Sequence, residues 1–94
     1  IVREEIGKLK HTPWQYFCVI PDLKSTGIKN GKRYMGWAAI IRAVNTKDAV
    51  KATSFEIPHK TLYRIRDRII KEVPGINRVL WDMSDKPVST IEWE

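Results

Sequence analysis

Residues 34–44 read YMGWAAIIRAV, and the parity of that run decides the architecture. Its aromatic and β-branched content, with apolar side chains at nearly every position, is that of a strand. One parity carries Trp37, Ala39, Ile41 and Ala43, and the other carries Ala38, Ile40, Arg42 and Val44. An antiparallel sheet with one wet face alternates cleanly between apolar and polar residues. This run does not, so both faces of its sheet call for cover. The run WQYFCVI at 14–20 repeats the pattern, with Trp14, Tyr16, Cys18 and Ile20 opposing Phe17 and Val19, and it closes at Pro21.

Between the two runs lies Asp22 to Arg33, with Gly27 and the pair Asn30-Gly31, a combination that favours a tight turn with positive φ. The two strands are expected to be antiparallel neighbours joined by this long, lysine-bearing excursion. Gly27 to Gly31 does not make a phosphate cradle, because no Lys-Ser/Thr ending follows and no helix opens there to supply a dipole.

Upstream of these strands, Val2, Ile6 and Leu9 fall on one stripe of a short amphipathic helix that ends before Thr12 and Pro13. Pro58 suits a helix start, and Leu62, Ile65, Ile69 and Val73 recur at helical spacing up to Pro74-Gly75. From Asn77 to Met83, Val79, Trp81 and Met83 alternate with Arg78, Leu80 and Asp82, as a strand should. A loop from Ser84 to Pro87 leads to a short extended piece, Thr90 to Trp93. The order is α-β-β-α-β-β, an α+β two-layer sandwich with helices on one face of a small, mainly antiparallel sheet.

Two short helices cannot cover both faces. Large exposed apolar patches are rare on monomers, so a second copy or a neighbouring domain is expected on the open face, with Trp37, Ile41 and Val44 as candidates. Parity alone leaves open which set faces the partner. At 94 residues the chain fits one domain, and a domain of this size buries only roughly 60 to 65% of its unfolded surface. A partner surface therefore matters.

The net charge of +6 favours an anionic partner without choosing among nucleic acid, a phosphorylated metabolite and an acidic protein. The basic residues, Arg42 among them, are scattered, and most read as solvated. The single cysteine, Cys18, cannot form an internal disulfide and reads as core in a reducing, cytoplasmic compartment. His11 and His59 have no ligand partners at metal spacing, so no metal site is expected. No apolar stretch approaches a membrane span and nothing resembles a signal peptide. Asp82 and Asp85 suit turn roles better than catalysis. The residues by themselves describe a binding or assembly module. The chain opens on Ile1 without methionine, and a fragment whose catalytic portion lies upstream is expected.

The run Ile70-Lys71-Glu72-Val73-Pro74-Gly75-Ile76-Asn77-Arg78-Val79, then Lys86-Pro87, then the terminal Thr90-Ile91-Glu92-Trp93-Glu94, resembles the C-terminal signature of glutamine-hydrolysing GMP synthetases. Ser25, Gly27, Gly31 and Tyr34, and the strand Ile41-Arg42-Ala43-Val44, extend the likeness over nearly the whole chain. Two departures stand out: Asp48-Ala49-Val50-Lys51-Ala52 replaces the family's Asp-Phe-Met-Thr-Ala, and Pro87-Val88 its double proline.

The resemblance implies a parent enzyme that converts XMP to GMP. An ATP pyrophosphatase domain upstream, using ATP and Mg, adenylates the xanthine oxygen, and ammonia from a glutamine amidotransferase domain or subunit displaces AMP. It implies that residues 1–94 are the dimerisation domain, forming a homodimer, binding no cofactor and inactive alone. It also places Gln15, Arg78, Lys86, Ile91 and Glu92 where the family contacts XMP. Their chemistry suits that role: Arg78 and Lys86 can meet a phosphate dianion, Gln15 can donate and accept, Glu92 can accept from ribose hydroxyls, and Ile91 can offer backbone groups. The alternative is a small basic KH-like nucleic-acid module, which needs a Gly-x-x-Gly loop that this chain lacks.

Overall fold

The structure, a computed structural model, describes residues 1–48 and 50–93. Ala49 of the departing segment and Glu94 of the terminal motif lie outside the described residues. The elements in order are α1 (Val2–Gly7), β1 (Gln15–Val19), β2 (Lys24–Lys29), β3 (Lys32–Thr46), β4 (Ala52–Ser54), α2 (His59–Glu72) and β5 (Ile76–Asp82).

Every other strand pairs with β3. β1, β2 and β4 run antiparallel to it, and β5 runs parallel. β1 and β5 both pair with Ile40 to Arg42, so they flank β3 on opposite sides. The domain measures 47 × 28 × 16 Å, the thin dimension being that of one sheet and one helix layer. The expected α+β class, with helices on one face of a mainly antiparallel sheet, is what the chain adopts.

The odd parity of β3 faces the helices. Ala39, Ile41 and Ala43 pack with Val2 and Ile6 of α1 and with Ile65 and Ile69 of α2, all buried. Val79 and Trp81 of β5 and Tyr16 of β1 join them, which confirms the alternation read for those strands. Each fully enclosed isoleucine stabilises the fold by roughly 1.5 to 3 kcal/mol. Trp37 and Ile41 therefore belong to the helix side, and the expectation that they meet a partner copy is corrected. The two helices are also tied by charge. Glu5 of α1, 3% exposed, accepts from Arg64 Nε (3.2 Å), Arg68 Nη1 (3.0 Å) and Lys8 Nζ (3.3 Å).

The excursion between β1 and β3 differs from its sequence reading. It contains a strand, β2, and Asn30-Gly31 (φ 54° and 75°) is the two-residue turn of the β2–β3 hairpin. Lys24, Gly27 and Lys29 gave β2 no apolar periodicity, as suits an edge strand that discourages further pairing. β4 is a second strand absent from the sequence reading. The terminal piece from Thr90 to Trp93 forms no strand, and one bridge, Ala52 to Lys86, is its segment's contact with the sheet ladder. Cys18 is exposed rather than core.

β5 enters the sheet through an irregularity: Trp37 pairs with Ile76 and Ala38 with Arg78, leaving Asn77 as the extra residue of a bulge. Its side chain lies over two glycines. A Cβ on Gly27 would sit 2.6 Å from Asn77 Nδ2, and one on Gly36 would sit 2.7 Å from it and 2.5 Å from the Gly75 carbonyl oxygen. The space left by both glycines lets Asn77 Nδ2 donate to the Ser25 carbonyl at 2.8 Å.

Candidate functional site

The even parity of β3 faces away from the helices, and the C-terminal tail lies on it. Val44, Ala52 and Ile91 form a small second core with Phe17 packed against it. Beside this cluster Arg42 is wholly enclosed, between Ile40 and Val44 on the same face. A buried cation is costly unless its donors are satisfied, and here the tail satisfies them. Nε donates to the Ile91 carbonyl (3.2 Å), Nη1 to the Ser84 carbonyl, and Nη2 to the Thr90 carbonyl (2.8 Å) and Ser89 Oγ (3.3 Å).

Asp82 of β5, opposite Arg42 in the parallel register, completes the arrangement with Oδ2 at 3.4 Å from Arg42 Nε. It also accepts from the Ser84 amide (3.0 Å) and from Trp93 Nε1 (3.0 Å), so it touches both the start and the end of the tail. Burial works against its ionisation, but the Ser84 amide and hydroxyl, the Arg42 charge and the Trp93 indole together hold the Asp82 carboxyl below its ordinary range. Between tail and sheet lies an open cavity of about 630 Å³, lined by Ile40, Leu80, Asp82, Ser89, Glu92 and Trp93 among others. Leu80 (44% exposed), Trp93 (47%) and Val88 give it an exposed apolar rim.

Four of the five residues proposed from sequence gather at one end of β3. Gln15 pairs with Val44, against which Ile91 packs. Lys86 exchanges backbone hydrogen bonds with Ala52 of the same cluster, at 2.8 and 2.9 Å. Ile91 is buried and offers its carbonyl to Arg42, while Glu92 beside it is exposed on the cavity wall. Arg78 does not join them. It pairs with Ala38, six residues along β3 from Val44 and roughly 20 Å away at strand spacing. Its guanidinium is spent on β2, donating to Ser25 Oγ (2.9 Å) and the Thr26 carbonyl (3.1 Å).

Arg42 is the residue that sequence reasoning passed over as one of many surface cations. The signal was in the parity: an arginine between Ile40 and Val44 on one strand face is placed for burial. Among the described residues no three His, Cys, Asp or Glu side chains are grouped to hold a metal ion, and no helix is long and apolar enough to cross a membrane.

Residues 4–93 match the family model described as the GMP synthase C terminal domain. The chain belongs to this family. It is 45% identical to the GMP synthase (glutamine-hydrolyzing) of Geobacillus kaustophilus, 44% to that of Thermomicrobium roseum and 40% to that of Natranaerobius thermophilus, over its whole length in each case. It covers 18 to 19% of those proteins, so the chain spans about a fifth of the length of these GMP synthases. The tail held by Arg42 and Asp82 is thus a feature of a GMP synthase C-terminal domain.

Proposed function

We propose that this chain is the nucleotide-gripping and dimerising part of a glutamine-hydrolysing GMP synthase, a cytoplasmic enzyme of purine nucleotide synthesis that makes GMP from XMP, ATP and glutamine or ammonia. In this reading an ATP pyrophosphatase domain upstream binds ATP and Mg and activates the xanthine oxygen, and an amidotransferase domain or subunit supplies ammonia. The chain alone has no group suited to either step and is expected to be inactive.

The observation that carries the reading is the anchored tail. It carries the Lys86-Pro87 and Thr90-to-Glu94 parts of the family likeness, and its fold leaves Glu92 on the wall of an open cavity, with the buried Ile91 beside it fixed to Arg42 and the half-buried Lys86 bridged to Ala52. A lysine ammonium suits a nucleotide phosphate as a point charge, and a carboxylate accepts from ribose hydroxyls. Gln15, at the same end of the sheet, supplies a neutral amide. Arg78, held apart in the single chain, contributes to XMP only if a second copy or another domain brings the ligand to it. The apolar rim formed by Leu80, Val88 and Trp93, with Ile40 behind it, is the face that a second copy would cover.

The test is steady-state kinetics on the full-length synthase. Lys86→Ala, and separately deletion of residues 91–94, should raise the KM for XMP by roughly 10- to 100-fold, the loss of a charged hydrogen bond, with the KM for ATP unchanged. Unaltered XMP kinetics in both variants would remove the ligand half of the reading.

A further inference from the structure

We propose that Arg42 is a positioning residue for the nucleotide: without touching it, Arg42 sets the affinity for XMP by closing residues 84–91 into the loop that presents Lys86 and Glu92. The inference rests on the XMP reading above. The Arg42 side chain is 0% exposed, so a ligand cannot reach it. Its donors go to acceptors at both ends of one loop, the Ser84 carbonyl at the start and Ser89 Oγ and the Thr90 and Ile91 carbonyls at the end.

Sheet stability does not call for an arginine at this position. Leucine or methionine between Ile40 and Val44 would pack the strand without desolvating a charge, and exchanging buried ionic groups for apolar ones is often neutral or stabilising. What an apolar residue cannot do is satisfy three carbonyls that diverge from a strand. The loop is also held at Asp85, whose Oδ1 accepts from the Ser54 amide (2.7 Å), at Lys86 through the bridge to Ala52, and by the Ile91 side chain, the Asp82 contacts and local bonds such as Ser89 to the Asp85 carbonyl, but Arg42 is the side chain that ties Ser84 directly to residues 89–91. Freed from the guanidinium, the loop samples many shapes, and the ligand must order it on binding. A loss of that kind weakens ground state and transition state alike, so KM rises while kcat holds.

The experiment uses the full-length synthase with Arg42→Met, Arg42→Lys, Lys86→Ala and the double variant Arg42→Met/Lys86→Ala, assayed at varied XMP and at varied ATP, with amide hydrogen exchange over residues 84–93. Arg42→Met is expected to raise the KM for XMP by roughly 10- to 100-fold, with kcat within about 2-fold and the KM for ATP unchanged. Tail amides should exchange faster while α2 stays protected. Arg42→Lys should recover part of the affinity, and the double variant should be no worse than the weaker single one, since both changes remove the same contact. A purely structural arginine would instead lower the active fraction and leave the KM for XMP alone. If Arg42→Met loosens the tail or leaves it protected, yet binds XMP normally while Lys86→Ala does not, the proposal is overturned and the XMP reading stands. If Lys86→Ala is also normal, the XMP reading itself fails. Should Arg42→Met not fold, Arg42→Lys decides: a raised KM for XMP alone supports the proposal, and an unchanged one overturns it.

Discussion

Arg42 and Asp82 face each other in register on adjacent parallel strands, 3.4 Å apart, with the arginine side chain wholly enclosed and the carboxylate 14% exposed. The asymmetry matters because water can reach only one partner. Removing the charge of Asp82 leaves the buried cation with its tail acceptors but no counter-ion, and also weakens the bonds to Ser84 and Trp93. Asp82→Asn should therefore destabilise the domain by about 1 to 3 kcal/mol, short of the cost expected for a pair buried on both sides. Urea unfolding followed by tryptophan fluorescence measures it, and a midpoint equal to wild type would show that the carbonyls alone balance Arg42.

The glycines of the hairpin differ in what they tolerate. Gly36→Ala drives a Cβ to within 2.5 Å of the Gly75 carbonyl oxygen, a backbone atom that also accepts from the Trp37 amide at 2.8 Å. Neither can yield without opening the β3–β5 junction, and a cost of about 1 to 3 kcal/mol is expected. Gly31→Ala meets no atom within 4 Å and bears only the strain of φ +75°, roughly 1 kcal/mol. Gly36→Ala should thus be the more destabilising of the two in denaturant titrations, and the reverse order would contradict the bulge geometry.

How far the sequence foretold this fold can be read from particular residues. Ile65 and Ile69 located α2 because its apolar stripe faces one layer. Val79 and Trp81 likewise located β5. β2 escaped because Lys24, Gly27 and Lys29 serve an edge, where pairing is made by the backbone and leaves no period in the side chains. The tail misled in the opposite sense. Thr90 to Trp93 reads as extended, yet what holds it is the guanidinium of a residue some fifty positions earlier, and no local pattern records such a contact. The same gap separates the site residues: family likeness grouped Gln15, Arg78, Lys86, Ile91 and Glu92 without distinction, and only the strand registers show that Gln15, Lys86, Ile91 and Glu92 share one end of β3 while Arg78 lies at a distance.

Glu5 makes the α1–α2 contact depend on pH. Its carboxyl is held at about 2, against an ordinary 4.5, chiefly by the hydrogen bond from Arg68, with Arg64 and Lys8 adding to it. A carboxyl with a lowered folded pKa contributes stability that is present above its unfolded pKa and is lost as pH falls toward the folded one. The difference in thermal midpoint between wild type and Glu5→Gln should therefore be full above about pH 5 and close progressively toward about pH 2. There the protonated glutamate resembles glutamine in shape and charge. A difference independent of pH across that window would mean that the Glu5 cluster contributes packing alone.

The two faces of the sheet can be told apart with aspartate. Ile41 is 1% exposed among Ile6, Ile65 and Ile69, so Ile41→Asp places an unpaired charge in the main core. Against a stability of roughly 5 to 15 kcal/mol for a whole domain, a penalty of several kcal/mol is enough to leave it largely unfolded. Leu80, on the opposite face, is 44% exposed in the single chain, and an aspartate there can keep its water. Leu80→Asp should leave the circular dichroism and thermal midpoint of the isolated domain near wild type. If a second copy covers this face, as proposed, the same change buries a charge at the contact and should convert the full-length synthase from dimer to monomer at micromolar concentration, as seen by sedimentation velocity. A wild-type synthase that sediments as a monomer would withdraw the dimer proposal altogether, whereas a Leu80→Asp enzyme that stays fully dimeric would move the interface off this face.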